Sequence, residues 1–225
     1  MTLQATRPNT LLGKRAIRMG TWNVRTMFET GKTLQVTAEM RAYNLALLAI
    51  SETQWTQSGQ KSELLLCSGH KDLDSPHTQG VALTSSKATQ KALIGWAAHG
   101  PRIIAASFQT KVRRISMNVI LCYAPTNDNE DQVKDQFYHR LQSVIDNFPE
   151  RDVTILMGDF NAKIGSDNIG YEEVMGQHGL GVMNDNGERL ADLCALNKLV
   201  LGVSVVPHRR IHKATLLSPD QSTAN

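Results

Sequence analysis

The sequence predicts an α/β protein, a four-layer sandwich with two mostly antiparallel sheets inside and helices outside. Three observations carry that expectation. Strand-like and helix-like segments are mixed, without the regular alternation of a doubly wound sheet. Several neighbouring strands are joined by short loops, which favours antiparallel pairing. The chain has 225 residues, of which 41% are hydrophobic, enough for one substantial core and one domain by default.

The elements follow in order. Residues 1–15 read as a flexible polar arm, and residues 16–225 as the domain. A first strand runs from Ala16 to Trp22 and is followed by Asn23. Leu34 to Asn44 suits a helix with Thr33 as its cap and Val36, Met40 and Tyr43 on one face. Leu45 to Ile50 is a dense apolar run, a second strand closing at Ser51-Glu52-Thr53. Leu64 to Cys67 is a short strand within a polar stretch. Gly80 to Thr84, Ile103 to Thr110 and Ile115 to Tyr123 are three further strands, the last followed by a turn at Pro125, Asn127 and Asp128. Asp131 to Asn147 is the clearest helix: Val133, Phe137, Leu141, Val144 and Ile145 recur at three- and four-residue intervals, and Pro149 stops it. Val153 to Met157 is a buried strand. After a loop rich in Gly, Asp and Asn, a helix carries Leu190, Leu193 and Cys194 inward, and Leu199 to Val206 reads as a last strand.

Composition narrows the function classes. A net charge of +3 does not by itself demand a nucleic-acid partner, so local charge has to carry that argument. Cys67, Cys122 and Cys194 lie far apart in apolar segments without C-x-x-C spacing, which reads as buried free thiols rather than a disulfide framework or structural zinc. No apolar run approaches the roughly 20 residues of a membrane-spanning helix. The polar stretch from Thr2 to Lys14 is no signal-peptide core. A nuclear or cytoplasmic protein, neither secreted nor membrane-bound, is expected. His208 and His212 lack an H-E-x-x-H glutamate, Gly176, Gly179 and Gly181 lack a following Gly-Lys-Ser/Thr, and no G-x-S-x-G occurs.

The most informative junction is Val153-Thr154-Ile155-Leu156-Met157 running into Gly158-Asp159-Phe160-Asn161. If the chain stays extended past the turn that Gly158 permits, Asp159 and Asn161 project from the same side. A carboxylate that can orient a water and a carboxamide that can donate to a phosphate oxygen then share a strand end. Taken alone the pair reads equally well as an ordinary turn. Three other strand ends present polar groups: Asn23, Glu52 and Tyr123. Leu45–Glu52 and Val153–Asp159 echo one another, each an apolar strand ending in an acid, and two such strands from two sheets would bring Glu52 and Asp159 to one rim. Mg2+ takes oxygen ligands, often one or two carboxylates, and fills its sphere with water and substrate phosphates. Glu52 suits that role with Asn23 steadying it, Tyr123 can donate to a phosphate oxygen, and Asp159 can orient the attacking water. Such a site would cut a phosphodiester. Singly, Glu52 reads as a solvated acid, Asn23 as a turn residue and Tyr123 as a core ring with a surface hydroxyl.

The ordered motifs T-W-N-V (Thr21 to Val24), S-E-T (Ser51 to Thr53), Y-A-P-T (Tyr123 to Thr126) and G-D-F-N-A (Gly158 to Ala162) resemble the endonuclease/exonuclease/phosphatase superfamily, from Ile17 onward. C-Y-A-P-T-N-D, L-M-G-D-F-N-A-K-I-G, N-G-E-R-L-A-D-L-C and R-R-I-H-K-A-T resemble one lineage within it, the endonuclease domains of RTE-type non-LTR retrotransposons and the craniofacial development protein 2-like proteins derived from them. The resemblance implies a deoxyribonuclease I-like fold and a magnesium-dependent DNA endonuclease (a hydrolase), with Mn2+ as an alternative metal, that nicks a target strand. In full-length relatives a reverse transcriptase domain accompanies it. On matching positions it implies Glu52 as metal ligand, Asn23 as its neighbour, Tyr123 on the phosphate, Asp159 at the nucleophile and Asn161 stabilising the transition state. It also implies Thr215 in the DNA cleft. Arg209, Arg210 and Lys213 suit backbone phosphates, a sequence-independent contribution, and read equally as a solvated charge cluster.

The sequence also departs from that pattern. The family continues past the threonine region with an Ile-Asp-His or Ile-Asp-Tyr type motif and then Ser-Asp-His, neither of which occurs here, and Leu216 stands where relatives usually carry Trp. The expectation is therefore a C-terminally truncated domain, its last strands missing and its nicking weak or absent. Two other readings stand beside it: a catalytically dead fragment that at most binds nucleic acid, and a phosphatase or phospholipid phosphodiesterase on the same fold. The retrotransposon-like wording and the lack of a membrane-binding segment weigh against the last.

Overall fold

The computed structural model describes residues 17–62, 65–70 and 78–207, so the expected arm at 1–15 lies outside them. Among the described residues, 17–123 and 143–159 form one compact unit, and 124–142 with 160–207 form another.

The first unit holds two sheets. One has the order β1 (Met19–Asn23), β2 (Leu47–Ser51), β5 (Val81–Ser85), β4 (Leu65–Ser68), β3 (Gly59–Ser62); the other runs β6 (Leu93–Ala98), β7 (Ile103–Gln109), β8 (Ser116–Tyr123), β9 (Val153–Asp159). Pairing is mostly antiparallel, as short loops between neighbours require. The exceptions are β1 with β2 and β8 with β9, which are parallel. Each of those pairs is joined by a segment containing a helix, α1 (Lys32–Ala42) or α3 (Asp131–Ile145), long enough for a crossover.

The sheets share a core: Leu47, Ala49 and Leu83 from the first pack with Ile104, Val119, Leu121 and Met157 from the second. The other face of β2 supplies Leu48 and Ile50 to a cluster with Val36 and Met40 of α1. Coverage on both faces explains why β2 reads as an unbroken apolar run rather than an alternating one. Cys67, Cys122 and Cys194 are buried free thiols, as expected.

Several local expectations are corrected. Helix α1 starts two residues earlier than Thr33 as a cap would set it. Gly31, at φ +84°, is its N-cap and accepts from the Gln35 N–H at 3.0 Å, so Thr33 lies inside the helix. Tyr43 falls at its C-terminal cap and is exposed, away from the buried Val36 and Met40. Val133 of α3 is exposed too, whereas Phe137, Leu141, Val144 and Ile145 are buried. Strands β3 and β6 and the short helix α2 (Lys87–Gln90) are not anticipated by the sequence pattern. β3 is polar throughout, Gly95 shifts the register of β6, and both strands lie at ends of the described sheets.

The second unit contains α4 (Asp185–Leu196) and α5 (Gly202–Val205). Asn184 caps α4 by accepting from the Gly187 N–H at 2.8 Å, and Leu190, Leu193 and Cys194 are buried as expected. The strand expected at Leu199 to Val206 is not formed. Leu201 makes an isolated bridge with Met175, and the next residues turn into α5. Ser204 directs this: its hydroxyl donates to the Leu201 carbonyl at 2.6 Å and accepts from the Gly176 N–H at 2.9 Å. The valines around it remain exposed, so their β propensity finds no sheet to pack on.

Candidate active site

Asp159 is the last residue of β9, in register with Tyr123 on β8, while Gly158 is in register with Cys122. Gly158 has φ +135°, and a Cβ there would lie 1.9 Å from the Cys122 carbonyl oxygen. Only glycine lets the two strands approach this closely and still deliver Asp159 beside Tyr123. From the other sheet, Asn23 ends β1 in register with Ser51, and Glu52 follows directly on β2. Glu52 sits in the left-handed region at φ +57°, a conformation that costs a non-glycine residue about 1–2 kcal/mol. The surrounding backbone holds the turn: the Val24 N–H donates to the Ser51 carbonyl and the Thr53 N–H to the Gly80 carbonyl, at 3.1 and 3.0 Å.

The side chains converge on one amide. Asn23 Nδ2 donates to Glu52 Oε1 at 2.6 Å and to Asp159 Oδ2 at 2.9 Å. Asn23 Oδ1 accepts from the Arg25 N–H at 3.0 Å, which fixes which way the amide faces. Tyr123 completes the set, its hydroxyl donating to Glu52 Oε1 at 3.1 Å. The expected convergence of Glu52 and Asp159 from two sheets is thus present, with Asn23 between them. Burial, then the Glu52 carboxylate, pushes the Tyr123 hydroxyl up to about 12. At neutral pH it is therefore a protonated donor.

Asn161 belongs to the second unit. The chain does not stay extended to it, because Asn161 is left-handed at φ +48°. Within that unit its Nδ2 donates to the Ala124 carbonyl at 2.9 Å, and its own carbonyl accepts from Asn184 Nδ2 at 3.2 Å and Asn186 Nδ2 at 3.4 Å. Thr215, Arg209, Arg210 and Lys213 lie outside the described residues.

The donor set is all oxygen and amide. Among the described residues no group of three or more His, Cys, Asp or Glu side chains gathers that could by itself hold a metal ion. Two carboxylates held by one amide fit a hard cation that keeps waters and takes phosphate oxygens, as Mg2+ does. Glu52 and Asp159 are the residues able to hold it.

Further residues support these groups, each within its own unit. Arg102 lies with its guanidinium 4.8 Å from the Tyr123 ring centroid. Asn184 and Asn186 fix the backbone of Asn161. Asn186 opens the N-G-E-R-L-A-D-L-C motif, while no sequence signal marked Asn184 or Arg102.

Two sheets sharing a core, with site residues from both at one rim, define the class. The chain has the nuclease/phosphodiesterase-type fold of the endonuclease/exonuclease/phosphatase superfamily, the deoxyribonuclease I-like arrangement. It resembles the AP endonuclease of Leishmania major with a TM-score of 0.56 at 12% identity, over 87% of this chain and 72% of that one. It resembles the endonuclease domain of TRAS1, a telomere-specific non-LTR retrotransposon, with a TM-score of 0.50 at 13% identity, over 80% and 70%. In sequence the chain is similar to craniofacial development protein 2 of Tragulus javanicus, 38% identical over 208 residues and 90% of this chain. It spans about a third of that relative's length (34%). No family model matches the sequence. No helix among the described residues is long and apolar enough to cross a membrane.

Proposed function

We propose that this chain is a Mg2+-dependent DNA endonuclease of retrotransposon origin that hydrolyses one phosphodiester bond of a target strand. The observation that carries the reading is the Asn23 amide spanning the Glu52 and Asp159 carboxylates, with the Tyr123 hydroxyl on Glu52. Bound Mg2+, or Mn2+ in its place, would supply charge neutralisation at the phosphate. The protein groups have distinct tasks. Glu52 would hold the cation. Asn23 keeps the two carboxylates at a fixed separation. Asp159 orients the attacking water and accepts its proton. Tyr123 donates its hydroxyl hydrogen to a phosphate oxygen, and Asn161 offers a further amide donor as charge builds on the phosphate. The water oxygen bonds to phosphorus as its proton passes to Asp159, the bond to the 3′-oxygen breaks, and that oxygen takes a proton from solvent to become a 3′-hydroxyl, Asp159 afterwards releasing its own to solvent. Arg209, Arg210, Lys213 and Thr215 would track the DNA backbone, and this favours DNA over a lipid phosphodiester.

The test is conversion of supercoiled plasmid to open circle in Mg2+. The chain is expected to nick weakly, chelation by EDTA to stop it, and Glu52→Ala or Asp159→Ala each to cut the rate by about 10²–10³. Nicking no faster than in the Glu52→Ala/Asp159→Ala double variant would sink the proposal, and duplex binding without cleavage would replace it with a binding-only role.

A further inference from the structure

We infer that Arg102 is a positioning residue that aims the Tyr123 hydroxyl, acting through that tyrosine's ring and main chain. The inference rests on the reading of Tyr123 as a phosphate donor.

Arg102 immediately precedes β7, and Tyr123 ends the neighbouring β8, where Ile103 is in register with Cys122. Three interactions join the two residues. Arg102 Nη1 donates to the Tyr123 carbonyl at 3.2 Å. The Tyr123 N–H donates to the Arg102 carbonyl at 2.9 Å. The guanidinium carbon stands 4.8 Å from the ring centroid. A planar guanidinium can stack on a ring face while donating along its own plane, and an ammonium cannot do both. The ring is therefore fixed at one end by its backbone and on one face by the cation, which holds its hydroxyl at the rim, 3.1 Å from Glu52 Oε1.

The charge matters as well as the shape. The charged groups facing Tyr123 are Glu52 and Asp159 at the rim and Arg102 on its ring. A cation on the ring makes the O–H a better donor to a phosphate oxygen. Arg102 is itself held below the usual guanidinium range by burial, against the pull of Tyr123 and Glu52, which places it in the same electrostatic neighbourhood.

A plain hairpin staple would make the same main-chain bonds, so the test reads the coupling to Tyr123. Arg102→Met keeps the buried stem and removes the charge; Arg102→Lys keeps the charge and removes the fork. The chain has four tyrosines, so ring-labelled protein gives few NMR signals, and the Tyr123→Phe variant assigns one by its disappearance. Arg102→Met is expected to shift the Tyr123 signal and leave the other three in place. It is also expected to lower the plasmid-nicking turnover about 10-fold or more with little change in KM, Arg102→Lys restoring part of the loss. On a Tyr123→Phe background Arg102→Met should cost nothing further, the non-additivity of residues acting as a unit. An unmoved Tyr123 signal, or losses that multiply in the double variant, overturns the inference. A wild-type chain that does not nick but whose Tyr123 signal responds to Arg102→Met sinks the endonuclease reading and leaves Arg102's hold on the tyrosine standing.

Discussion

Gly158 is the residue with the least room for change. Its Cβ position is occupied by the Cys122 carbonyl and its φ suits no L side chain, so Gly158→Ala must part β8 from β9 or break the strand. The expected cost is about 3 kcal/mol, read as a fall in the urea midpoint at unchanged slope. Tyr123 gives a pH signature. Its hydroxyl titrates higher folded than unfolded, about 12 against 10. The stabilisation it contributes is therefore complete below pH 10 and lost as pH rises through 12. Thermal melts across that window should fall more steeply for the wild type than for Tyr123→Phe. The residues legible in the sequence share one property: Asn23, Glu52, Tyr123 and Asp159 each stand where an apolar strand ends, so a local pattern marks them. Arg102 follows a Gly-Pro turn, and its partner is set by the β7–β8 register, which no local pattern encodes. Asn161 shows the converse: its place was legible but its left-handed backbone was not, because Asn184 and Asn186, over twenty positions away, hold it there.

Helices α3 and α4 are tied by charge within the second unit. Lys134, its side chain almost wholly buried, reaches Asp131 at 3.0 Å and Asp185 at 2.5 Å, while Arg189 pairs with Asp185 and Asp135. The Lys134 hydrogen bond holds the Asp185 carboxyl below its ordinary value, with Arg189 adding to the effect. A depressed carboxylate stabilises above its unfolded pKa of 3.8, and that contribution is lost as pH falls through the lower folded value. Lys134→Met should lower stability at neutral pH and flatten its dependence on acid below pH 4, both measurable by chemical denaturation. Element legibility follows packing. β2 and β8 are buried runs and α3 is periodic, so their patterns mark them to within a few residues. β3 and β6 carry little apolar patterning, and the Leu199–Val206 run carries the composition of a strand in a place where Ser204 makes a helical turn.

At the scale of the whole molecule, the pairing of two acid-ended strands from two sheets is the most legible fact, because each strand declares both its burial and its terminus. What binds along that rim is a matter of charge. If Arg209, Arg210 and Lys213 bind phosphates, replacing all three with Ala should lower the slope of log affinity for duplex DNA against log salt by roughly 0.9 for each phosphate no longer neutralised. Fluorescence anisotropy at several salt concentrations measures it, and an unchanged slope removes them from the interface. The amide of Asn23 also sets a timetable. It bonds a carboxylate 136 positions later in the chain, so a nascent chain cannot assemble this rim until Asp159 has left the ribosome. At about 5–20 residues per second that is a wait of roughly seven to thirty seconds. A rim built this way stays unassembled until strands from both sheets have been made, and fragments ending before Asp159 carry half of it at most.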